Sequence, residues 1–287
     1  MLGTLFKYDF LALGRTLGIV QLCVFVAGLF GSFLVGIGYR SASSQWNSSL
    51  YSSNYGAFES VFASVSSMLG GLLFSAVFAS SLVTLFLIAR YYYKNFFSAE
   101  GYLTFTLPLK PGQLLMSKIF AGVLWTLINA LVIILVCVAL SLFGFTDEIV
   151  DTYSLKAYGD LFVEIATPLG ALTTVEFVLF IFISSILNVI LLYASISVGC
   201  SVARTHKVLA SVGFYLLMNF ILSIIISGIL FSAFFAMLDN FSLNSLSNSW
   251  FYELNMFMLP IMICVLLSII ILYFVSKNPI KRNLNLD

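Results

Sequence analysis

Six apolar runs, each long enough to cross a bilayer, leave this chain few ways to fold. Crossing the hydrocarbon core takes about 20 residues of helix, and the runs cover residues 18–39, 67–89, 119–143, 176–201, 208–231 and 256–275. In hydrocarbon a backbone must satisfy its own N–H and C=O groups, so runs of this length become helices, and the polar segments between them stay outside. The fold class expected is therefore all-α: a polytopic membrane protein of six transmembrane helices, forming one transmembrane domain over residues 1–287. Composition agrees, with 61% hydrophobic and only 9% charged residues and a mean hydropathy of +1.08. A soluble domain of this size needs far more charge on its surface.

Basic residues near span ends stay on the cytoplasmic side. With the amino terminus inside, Lys7, Arg15, Arg90, Lys94, Lys110, Lys118, Arg204, Lys207, Lys277, Lys281 and Arg282 all fall in the cytoplasm, and only Arg40 and Lys156 fall outside. Both termini are thus expected inside, in a cytoplasmic membrane. Ahead of the first span, Leu2, Phe6, Phe10, Leu13 and Leu17 recur at helical spacing. Residues 1–17 are accordingly expected to lie along the membrane surface as an interfacial elbow helix.

Several functions are excluded or left without support. A net charge of +1 and the lack of a basic run with interleaved aromatics argue against nucleic acid. Cys23, Cys137, Cys200 and Cys264 are far apart, lack the spacing of a zinc or redox site, and read as small buried apolar residues. The single histidine, His206, sits in the basic turn Arg204-Thr205-His206-Lys207, so neither an H-E-x-x-H metal site nor a histidine-dependent triad can be built in the membrane. There is no GxxxxGK[ST] phosphate loop. No catalytic residue, metal or cofactor is expected in this chain.

Three asparagines lie deep in their spans. Asn129, Asn188 and Asn219 are about 11 to 15 residues from the cytoplasmic ends, roughly 16 to 23 Å at 1.5 Å per residue. An unpaired amide in hydrocarbon is costly, so each should meet another helix or a hydrated path. Two readings stay open: interhelical hydrogen bonding, and contact with a translocated substrate. Small residues step by four along span two, at Ala63, Ser67, Gly71, Ser75 and Ala79, and along span one, at Gly28, Ser32 and Gly36. Such stripes favour close helix packing.

The loop from Ser98 to Lys118, SAEGYLTFTLPLKPGQLLMSK, is short and half apolar, between two spans on the inner face. Arg90, Tyr91, Tyr92, Tyr93 and Lys94 would anchor the end of span two at the interface. Ser98 would cap a short helix with Glu100 in its first turn. Tyr102, Leu103, Phe105 and Leu107 would give that helix an apolar face, and Pro108 would end it. Pro111 suits the first turn of the third span and Lys118 its entry into lipid.

Glu100-Gly101, an apolar patch, Pro108, then Gln113-Leu114-Leu115 and Lys118 resemble the loop of ABC-2-type exporter permeases, which runs roughly E-x-G-T, apolar residues, P-[VI], E-L-L and G-K. Tyr102 stands where threonine is usual and Ser117 where glycine is usual. The segment Gly199 to Gly213 is similar to the turn between spans four and five in small permeases of Gram-positive bacteria, and Tyr8-Asp9-Phe10 with Gly14-Arg15 fits the same group. The resemblance implies a membrane-embedded permease subunit that exports a hydrophobic or amphipathic substrate. Its partners would be a second permease copy or paralogue, and a cytoplasmic ATPase that holds the ATP and Mg. It makes residues 98–107 a coupling helix, with Glu100, Gly101, Tyr102, Leu103, Phe105, Leu107 and Pro108 touching the ATPase and Arg204, His206 and Lys207 adding a smaller contact. The alternative is a non-transporting membrane immunity or scaffold protein.

Overall fold

In the computed structural model, residues 2–49, 57–98, 101, 111–144, 163, 167–203, 206–240 and 249–282 are described. They form six long helices: α1 (Leu2–Ser49), α2 (Ala57–Phe97), α3 (Pro111–Gly144), α4 (Pro168–Val202), α5 (Lys207–Asn240) and α6 (Ser249–Arg282). Each expected span falls inside one of them, and all six are long and apolar enough to cross a membrane. The shortest have 34 residues, or about 51 Å at 1.5 Å per residue, against a hydrocarbon core of about 30 Å. Every helix therefore has turns to spare beyond the apolar layer.

Local chemistry explains several helix ends. α3 opens on Pro111, whose missing N–H costs nothing in a first turn. α4 starts at Pro168 behind an extended Thr167, whose hydroxyl accepts the Gly170 N–H at 3.1 Å. α4 ends as the Ala203 N–H bonds back to the Gly199 carbonyl, and α5 follows at Lys207.

The helices divide between two compact units. One comprises residues 1–10, 88–124 and 163–287; the other comprises residues 11–87 and 125–162. In the first unit α4 packs against both α5 and α6. At Gly199 the backbone of α5 comes so close that a Cβ would lie 2.5 Å from the Ser211 N and Cα atoms. Only glycine admits that approach. α5 is the least enclosed helix, and its most apolar stretch has no buried residue.

In the second unit the ring of Trp125 covers Gly14 and Gly18, Gly28 receives Val136 and Val77, and Gly70 receives Val35. Packing thus follows the expected stripe on α1. On α2 it follows a different one: Ser66, Gly70, Val77 and Ser80 face inward, while Ser67, Gly71, Ser75 and Ala79 are exposed. The four-residue spacing marked the exposed face of α2, and contacts of Leu73 with Gly31, of Val77 with Gly28 and of Val35 with Gly70 set the face that packs.

The expected elbow also changes character. α1 runs without interruption through Leu17 and Gly18, and both Leu13 and Leu17 are buried in protein rather than turned to lipid. Of the cysteines, only Cys200 is buried; Cys23 and Cys137 are exposed on apolar helices.

Candidate functional site

The most organised chemistry in the first unit surrounds Asp9. It is the only acid among the first 58 residues, and Lys118 is the only charged residue in α3. The two meet at 3.1 Å with both side chains nearly enclosed. The Asp9 carboxylate is saturated: Oδ1 accepts from the Tyr91 hydroxyl at 2.7 Å and from Lys118, while Oδ2 accepts from the Ser117 hydroxyl at 2.8 Å. The Lys118 ammonium also sits over the Tyr91 and Phe96 rings, 4.8 and 5.5 Å from their centroids. A buried charge is tolerated only with this degree of pairing and hydrogen bonding.

Lys118 is therefore no marker of entry into lipid. The Tyr91-Tyr92-Tyr93 run is likewise only in part an interfacial belt: Tyr92 is wholly buried, with its ring stacked on Tyr193 at 4.0 Å and its hydroxyl paired with Ser197 at 2.9 Å. Tyr193 in turn donates to the main-chain carbonyl of Lys118 at 3.1 Å. Gly122 leaves room for that bond, because a Cβ there would crowd the tyrosine hydroxyl at 3.1 Å and Val189 at 3.0 Å. In a helix the carbonyl of residue i points toward residue i+4, so glycine at 122 opens the way to Lys118. The cluster joins α1, α2, α3 and α4, and its α2 and α3 members flank the 98–110 loop on both sides.

Most of that loop lies outside the described residues, including Glu100, Tyr102, Leu103, Phe105, Leu107 and Pro108, and so does Arg204. Gly101 is buried, and its N–H donates to the Ser98 carbonyl at 2.8 Å; a Cβ there would come 2.8 Å from the Phe96 carbonyl oxygen. Gly101 thus lies close against the end of α2, where a side chain would collide with the main chain. The Ser98 hydroxyl donates back to Lys94 and closes the last turn of α2. His206 and Lys207 are exposed at the start of α5, where the His206 carbonyl takes the Ala210 N–H.

The three asparagines separate. Asn129 belongs to the second unit, where it is buried in a neutral knot between α1, α2 and α3. Its Oδ1 accepts from Gln21 Nε2 at 3.0 Å and from Ser80 at 3.1 Å, and Gln21 Nε2 also reaches Thr84 at 2.9 Å. Gln21 Oε1 is buried there without a partner. Asn129 thus has the interhelical role. Asn188 and Asn219 come together in the first unit, on the walls of a groove of about 340 Å³ between α4 and α5. Glu176, further along α4, has Oε2 buried without a partner among the described residues.

Sequence reasoning missed Gln21, the role of Asp9, Tyr92, Tyr193 and Ser197. A signal existed only for Asp9 and its partner: Asp9 is the one acid of α1 and Lys118 the one charge of α3, and a charge within an apolar helix must find a counter-charge. Tyrosine and serine positions in apolar helices carry no such compulsion. Among the described residues no group of histidine, cysteine and acidic side chains could hold a metal ion.

The class these observations define is a polytopic, all-helical membrane protein with a buried ionic cluster. Comparison with protein-family models, curated proteins and solved structures finds no match for the chain.

Proposed function

We propose that this chain is the membrane-embedded subunit of an ABC-2-type exporter, driven by a separate cytoplasmic ATPase and paired with a second permease. One observation carries the reading: the Asp9 cluster ties both flanks of the 98–110 loop to α1 and α4. A connector that receives force needs a stiff base, or the push dissipates in side-chain rearrangement. Here Tyr91 and Tyr92 precede the loop, Ser117 and Lys118 follow it, and all four are held by short contacts. The loop itself is then the coupling helix, with Glu100 to Pro108 against the ATPase and Arg204 to Lys207 alongside. The first turns of α1, which carry Asp9, serve at the inner face in place of a detached elbow. Residues Leu103, Phe105 and Leu107 supply an apolar docking face. Nucleotide can shift the permease equilibrium only if this face contacts the open and closed ATPase differently.

The test is a double substitution, Glu100→Lys with Leu103→Asp, in the chain co-expressed with an ATPase with which the unsubstituted chain co-purifies. Membrane insertion stays unchanged, co-purification of the ATPase weakens, and stimulated ATP turnover is lost. Full turnover in that variant, or full biological activity with no nucleotide-hydrolysing companion, removes the proposal in favour of an immunity or scaffold role.

A further inference from the structure

The groove between α4 and α5 has a largely apolar lining, Leu187 and Leu191 on α4 and Leu222, Ile226 and Leu230 on α5, with a row of polar groups running beside the latter. Asn219, Ser223 and Ser227 recur every four residues along α5, a step of about 6 Å. All three are exposed. The serine protons are already committed, Ser223 to the Phe220 carbonyl at 2.8 Å and Ser227 to the Ile224 carbonyl at 3.0 Å. With its proton so placed, each hydroxyl still has lone pairs to accept with. Asn188 behaves alike, for its Nδ2 is spent on the Ser184 carbonyl at 3.0 Å and its Oδ1 remains to accept. Asn219 has no partner among the described residues, although it lies deep in a span where an unmet amide is costly.

The row is thus neutral and acceptor-rich, with its members evenly spaced. We propose that this groove binds an uncharged peptide segment in extended conformation, as the substrate subsite of the exporter proposed above. An extended strand presents N–H groups on one side every two residues, about 6.6 to 6.8 Å apart, which matches the step along α5. From Asn219 to Leu230 the wall is about 16 Å long, room for about five such residues. A lipid tail has no N–H to give. A transmembrane helix from another copy has spent its backbone N–H groups internally. A charged group would lack any counter-charge among the residues that line the groove.

The experiment uses the purified full chain in lipid nanodiscs, without ATPase or nucleotide, so its outcome is independent of the coupling reading. The probe is an end-blocked peptide of alternating leucine and alanine, about six residues long, carrying one diazirine. Its fully N-methylated form and a diazirine-bearing fatty alcohol serve as controls. Photolabelling is expected on the 187–191 and 219–230 segments, to weaken about tenfold on N-methylation or in Asn219→Leu/Ser223→Ala, and to persist in Asn219→Gln. Equal labelling by the N-methylated peptide or the fatty alcohol shows an acyl-chain groove and overturns the proposal. So does labelling confined to other helices, or no labelling while an Asn219→Cys chain cross-links to its own copy.

Discussion

Two polar clusters fasten the first three helices, and they use opposite chemistry. Around Asp9 the groups are charged and every oxygen of the carboxylate is occupied. Around Asn129 they are neutral amides and hydroxyls, and one of them, Gln21 Oε1, is left over. The difference follows from the cost of failure. An unmatched charge in a low-dielectric interior costs several kcal/mol, so an ionic cluster survives only when complete. A spare amide oxygen costs about 1–3 kcal/mol, which a well-packed helix trio can absorb. The ionic cluster is therefore all-or-none and suits a place where force must pass without slack. The neutral knot can lose a member and still hold.

The largest way to break this contrast is Asp9→Ala, which strands the Lys118 ammonium and should cost about 3–5 kcal/mol. Thermal unfolding in detergent, followed by loss of the monodisperse species on size exclusion, measures it. Asp9→Asn combined with Lys118→Met removes both charges and should recover more than half of that loss. If the double variant is no better than the single one, the ionic account is wrong. Next in size is Gly122→Ala, whose methyl meets Val189 and the Tyr193 hydroxyl; overpacking and the lost bond to Lys118 together cost about 1–3 kcal/mol. Tyr193→Phe, which deletes the bond but adds no atom, should cost about 1 kcal/mol, and a larger effect than for Gly122→Ala would show that the hydroxyl matters beyond the contact described. The smallest effects belong to the neutral knot. Asn129→Leu should cost about 1 kcal/mol and Gln21→Leu less, because side-chain bonds between membrane helices average about 0.6 kcal/mol and the glutamine change also removes the orphaned oxygen. A loss at Gln21 as large as at Asp9 would erase the distinction between the two clusters.

How much of this was legible in advance depended on the kind of interaction. Span positions were open to reading because burial in lipid needs about 20 apolar residues in a row, a property of consecutive sequence. Pro111 marked a helix start for an equally local reason. Lys118 was misplaced because a basic residue at a span end has two acceptable environments, the headgroups and a buried carboxylate. Choosing between them requires knowing that Asp9, 109 positions earlier, lies 3.1 Å away. The stripe of small residues at Ser67, Gly71, Ser75 and Ala79 on α2 was assigned to packing for the same reason, since nothing within one helix shows which face its partner takes. Asn129 and Asn219 looked equivalent by depth, yet one is buried among donors and the other faces a groove.

The sequence alone determined that this protein is helical and carries six segments long and apolar enough to cross a membrane. These follow from the hydropathy and residue types of contiguous segments, which the bilayer reads one segment at a time. Only the tertiary structure decided which polar groups meet: Asp9 with Lys118, Tyr92 with Tyr193, Gln21 with Asn129, and Asn188 with Asn219 across one groove. In hydrocarbon, association between helices is governed by close packing and hydrogen bonding rather than by apolar character; small-residue spacing marks faces that can pack closely, but the pairing of polar groups leaves no such trace along a single chain.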